Sequence, residues 1–139
     1  MELIKNQKSF FNKLIIVAFF GMIAVILGAF GSHGLKPRLS TNSYSAYQTG
    51  ILYHFFHTLS ALAVLIISLH FDNKWLRRSF YFFIYGIILF SGSLYLLAIK
   101  DLGNLSFLKF AGPITPIGGV LFILAWGMII TAAYSLKRE

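Results

Sequence analysis

Two histidines three residues apart, His54 and His57 in YQTGILYHFFHTL, stand in a run that contains no Lys, Arg, Asp or Glu. Imidazoles in such a setting can ligate a metal or haem, or relay protons near their intrinsic pKa. Other polar side chains that suit the same chemistry are His33, Gln48, Ser91, Ser93, Tyr95 and Thr115. Ser91-Gly92-Ser93 raises a nucleophile with His57 as base, but it lacks a strand-turn-helix context and an acidic orienter. Serine hydroxyls bonded to helix carbonyls or to neighbouring helices are therefore the expectation. A three-histidine zinc or copper site would need His33 beside His54 and His57, yet Glu2, Asp72, Asp101 and Glu139 all fall in loops or tails, away from them. Haem asks for ligands on facing helices, and His54 with His57 share one. No metal site is assigned, and with no cysteine in the chain thiolate sites and disulfides are excluded.

The elements that position these groups follow from composition. Of 139 residues, 58% are hydrophobic and 12% charged, against roughly 45–50% and 25% in soluble domains. Lys and Arg fall in short clusters that delimit four segments free of charge: Leu14 to Leu35, Leu39 to Phe71, Ser79 to Ile99 and Phe110 to Leu136. A helix needs about 20 mostly apolar residues to cross a ~30 Å hydrocarbon core, where an unpaired backbone group costs several kcal/mol. The fold class is thus an all-α membrane protein, a four-transmembrane-helix bundle with a short interfacial helix between spans 1 and 2. One membrane domain over 1–139 has spans at about 14–32, 50–69, 79–99 and 113–135. The polar start STNSYSAYQTG predicts the interfacial helix at about 41–49, with Ser40 or Thr41 as N-cap.

The net charge of +8 does not form a basic helix face, so nucleic acid is no partner. Counted by side, Lys5, Lys8, Lys13, Lys74, Arg77, Arg78, Lys137 and Arg138 share one end of the bundle, against Lys36, Arg38, Lys100 and Lys109 at the other. Eight against four places both termini in the cytoplasm. Trp75, Phe80, Tyr81, Phe82, Phe83 and Tyr85 then form an inner aromatic belt. With this topology His33, Gln48, His54, His57, Ser91, Ser93, Tyr95 and Thr115 all come to the outer half, where intramembrane polar groups face the bundle interior or mark a site.

GAFGSHGL closes the first segment. Its Ala-Phe-Gly resembles a signal-peptidase site, but the apolar run Leu14 to Phe30 has 17 residues, longer than the roughly 7–15 of a secretory peptide. The expectation is a retained helix. Gly21, Ala24, Gly28 and Gly31 then make a small-residue face, and Gly92, Gly118 and Gly119 are packing positions in the later spans. Gly31 and Gly34 suit a left-handed cap, with Pro37 stopping the helix.

GAFGSHGL, YQTGILYHFFHTL, LFSGSLYLL and ITPIGGVLFILAW together resemble the successive signatures of the YgdD/YwdK-type family of small bacterial inner-membrane proteins, over about Gly21 to Lys137. That family is a domain of unknown function, so the resemblance implies the four-helix architecture and the bacterial cytoplasmic membrane and supplies no reaction. In the family pattern His57 matches a His three residues after a Gln, and His54 stands at the Gln position. A bis-histidine site would therefore be peculiar to this chain.

Two functions follow as expectations. The first is a non-enzymatic accessory or assembly component in the lipid bilayer, partnered by another membrane protein or by itself as a homo-oligomer. The second is a ligand-binding protein whose outer pocket around His57 holds a metal, haem, quinone or lipid head group; the cofactor is not named by the sequence.

Overall fold

The computed structural model describes residues 2–103 and 105–138. Glu139 lies outside them, as do the side chains of residues 2–6 and 101, which include Lys5 and the carboxylates of Glu2 and Asp101. Every regular element among the described residues is helical: α1 (Glu2–Phe30), α2 (Thr41–Ile67), α3 (Lys74–Gly86), α4 (Gly92–Ile99) and α5 (Ile114–Leu136). Four helical stretches are long and apolar enough to cross a membrane: Gln7–Leu35, Thr41–Ile67, Lys74–Ile99 and Ser106–Leu136.

Both spans that run toward the GAFGSHGL end widen into a π-turn. Gly31–Leu35 continues α1, with the Lys36 amide donating to the Gly31 carbonyl at 2.9 Å, five residues back. Ile87–Ser91 joins α3 to α4 as one span, with the Gly92 amide reaching the Ile87 carbonyl. This corrects the expected left-handed cap: neither Gly31 nor Gly34 has a positive φ, and the helix ends by over-widening before Pro37.

Residues 41–49 are helical as expected, but they run without a break into the span, so the boundary at Gly50 is absent. The reason is that Tyr47 and Gly50 are already buried against α1 and α4, which makes the first turns of α2 part of the bundle. Ser40 caps the helix, its hydroxyl accepting from the Ser43 amide at 3.2 Å. Asn73 does the same for α3, accepting from the Trp75 amide at 2.8 Å.

Helix α2 is the central element, packed by α1 on one side and by α3 and α4 on the other; α5 closes the far side against α3 and its π-turn. The α2 stripe Tyr47, Ile51, His54, Thr58, Ala61 and Leu65 is buried at helical spacing. Phe80 and Phe83, expected in an interfacial belt, are core residues instead, 2% and 0% exposed; Tyr81 and Tyr85 stay outside. Outward-facing Phe11, Ile15, Phe19, Met22, Ile26 and Phe30 give α1 an apolar outer face, as lipid contact requires.

Candidate functional site

The eight candidate polar residues do not close around one space. His54, His57, Tyr95, Ser93 and Thr115 make separate contacts between helices, while His33, Gln48 and Ser91 join none of them.

The first group joins α1, α2 and α4. His54 Nδ1 and the Tyr95 hydroxyl share a hydrogen bond of 3.1 Å. The rings of Tyr47 and Tyr95 lie 5.0 Å apart, and the Tyr47 hydroxyl donates to the Leu27 carbonyl of α1 at 2.7 Å. His54 Nε2 is buried without a hydrogen-bond partner, and the ring lies edge-on to Phe20 of α1 with centroids 5.8 Å apart. With Tyr95 donating to Nδ1, the neutral ring carries its proton on Nε2.

His57, one turn further along α2, belongs to a different contact. Its ring stacks on Phe122 of α5 with centroids 3.5 Å apart and planes 7° from parallel. Its Nδ1 lies 2.9 Å from the Tyr53 carbonyl of its own helix, and because a carbonyl only accepts, Nδ1 is the protonated nitrogen. His57 thus reaches α5 through an aromatic stack and keeps its hydrogen bond within α2.

The third pair links α4 to α5. Ser93 and Thr115 hydroxyls are 2.6 Å apart, and Ser93 donates to the Phe90 carbonyl at 2.9 Å. Ser91, fully buried in the π-turn, has no partner for its hydroxyl. Gln48 donates to the Tyr44 hydroxyl at 2.6 Å along the same helix, and His33 is exposed at the rim. Among the described residues no three of His, Asp and Glu come together as a metal-ligand set.

The glycines divide just as sharply. A Cβ on Gly118 would lie 2.7 Å from Phe90 Cα, and one on Gly31 would enter the Tyr47 ring. Gly21, Gly28 and Gly119 sit at ordinary contact distances of 4.0, 3.9 and 3.8 Å from Thr58, Ile51 and Phe90. Gly92 is corrected: nothing lies within 4 Å of its Cβ position, so it makes no close helix contact. Two glycines that sequence reasoning passed over are tight: a Cβ on Gly50 would lie 2.8 Å from the Tyr95 ring and one on Gly86 2.6 Å from the Phe122 ring.

Tyr47 and Ser79 were also missed. The signal for Tyr47 was its spacing of seven from His54, which puts both on one face. Ser79, fully buried toward the opposite end, donates to the Ala125 carbonyl at 3.0 Å; only the partner helix reveals it.

The family described as "Protein of unknown function (DUF423)" matches residues 27–119, which hold all eight candidate polar residues. The chain is 43% identical over 124 residues to a UPF0382 membrane protein of Haemophilus influenzae, covering 89% of this chain and 94% of that one. It is 39% identical over 126 residues to the UPF0382 inner membrane protein YgdD of Escherichia coli K12, covering 91% and 92%. With the UPF0382 membrane protein YwdK of Bacillus subtilis it shares 36% over 127 residues, covering 86% and 94%. No solved structure matches.

Proposed function

The chain belongs to the DUF423 family, an uncharacterised family of integral membrane proteins, and on that premise we propose that it is a non-enzymatic accessory or assembly component that associates with a larger membrane complex or with itself. The observation that supports this reading is the internal pairing of the polar groups. His54 with Tyr95, Tyr47 with the Leu27 carbonyl, and Ser93 with Thr115 each satisfy one helix with another. Groups so engaged hold a bundle in one packing and offer little to a substrate. Helix α1 adds a surface for association, since it packs along α2 and leaves its other side apolar and uncovered.

Both termini lie in the cytoplasm in this reading, because the end of the bundle that carries them also carries eight of the twelve basic residues. Purification in several mild detergents tests the association: a fixed stoichiometry with itself or with one membrane complex is expected. A clean monomer in all of them contradicts it.

A further inference from the structure

At the basic end of the bundle a cleft of about 620 Å³ opens between the first turns of α1 and the α2–α3 connection, lined by Lys13, Arg77, His70, Ser9, Phe10 and Leu65 among others. A second cleft of about 290 Å³ lies beside it, and Lys13 lines both. The Lys13 ammonium stands 5.8 Å from the Phe80 ring centroid and 5.6 Å from that of Tyr81. The one ion pair among the described residues joins Arg77 to Asp72. The carboxylate on the lining, Asp72, is thus taken up by Arg77, and Lys13 is held by aromatic rings without a carboxylate of its own.

We infer that this cleft binds the phosphodiester of an anionic phospholipid head group, with Lys13 and Arg77 as its cations. Three features converge on that ligand. The excess positive charge suits an anion, and Ser9 and Gln7 on the lining supply a hydroxyl and an amide donor, the Ser68 hydroxyl being given to the Leu65 carbonyl. The cleft lies at the charged start of the first span, where Lys13 also meets the exposed Tyr81, the place at which a span enters the head-group region. Phe10, Phe11, Leu65 and Leu69 give it an apolar wall that a free phosphate would not use but a glycerol and acyl chain would.

Native mass spectrometry of the full chain in detergent tests this, with phosphatidylglycerol, phosphatidylcholine or inorganic phosphate added at matched concentration. Phosphatidylglycerol should stay bound preferentially. Lys13→Gln and Arg77→Gln should each weaken its retention about fivefold, as expected of a cation contributing on the order of 1 kcal/mol at a membrane surface. The half-exposed Arg77 carries the test should Lys13→Gln fail to fold. Equal retention of both lipids, or no effect of either substitution, overturns the assignment. Displacement of phosphatidylglycerol by inorganic phosphate from the wild-type protein overturns the lipid and leaves a phosphate site.

Discussion

The α-carbon of Gly118 in α5 rests directly on the backbone of Phe90, within the π-turn that joins α3 to α4. A Cβ added at Gly118 would stand 2.7 Å from both Phe90 Cα and Phe90 Cβ, where real contacts do not occur. The partner is backbone, so no rotamer change relieves the clash. Gly118→Ala should therefore lower stability by about 1–3 kcal/mol, the usual cost of overpacking. Gly92→Ala should be neutral or stabilising, since a helical glycine costs about 1 kcal/mol relative to alanine and open space surrounds this one. Thermal unfolding in detergent, followed by the fluorescence of Trp75 and Trp126, compares them; equal melting of the two variants would refute the packing account.

The His54–Tyr95 bond yields a second expectation. Tyr95→Phe removes one hydroxyl, leaving His54 Nδ1 buried and unpaired, and should cost about 0.6–2 kcal/mol. His57→Phe should cost less, because its contact with Phe122 is a ring stack that another ring can reproduce. A double-mutant cycle over His54 and Tyr95 isolates the pair. Coupling below the error of the melt would show that the pair does not hold α2 to α4.

Ligand chemistry is tested by looking for the ligand. The purified protein should show no visible absorption band and no stoichiometric metal, because His54 and His57 turn to opposite neighbours, Tyr95 and Phe122. A Soret band, or one equivalent of zinc or copper lost in His57→Ala, would favour the ligand-binding reading.

Topology has its own test, made simple by the absence of cysteine. A single cysteine at Lys109 should react with an impermeant maleimide in intact cells, and one at Lys74 only after permeabilisation. The reverse pattern would invert the proposed orientation.

How much of this was legible in the sequence depends on range. The four spans were, because charge-free length is a local property that lipid enforces. The continuity of α2 through residues 41–49 was not: their polarity reads as interfacial until Tyr47 is seen against Gly31 and its hydroxyl on the Leu27 carbonyl. The π-turns escaped for a similar reason, since the glycines and serines of GSHGL and ILFS read equally as caps or packing positions. For the candidate residues, sequence and topology bring them to one level of the bundle but leave their rotation open. His54 and His57, three residues apart, share a face of α2 but stand about 60° apart around its axis. In a packed bundle that offset is enough to put one ring against α4 and the other against α5, and it divides what looked like one cluster.

The central claim is that the bundle is made to associate, and the uncovered face of α1 is where contact should be seen. Single cysteines at Ile15, Phe19, Met22 and Ile26, carrying a benzophenone photo-crosslinker in native membranes, address it directly. A discrete higher-mass product of constant size, strong at some of these positions and weak at others around the helix, is the expected result. Only monomer and lipid adducts at all four positions would contradict the account.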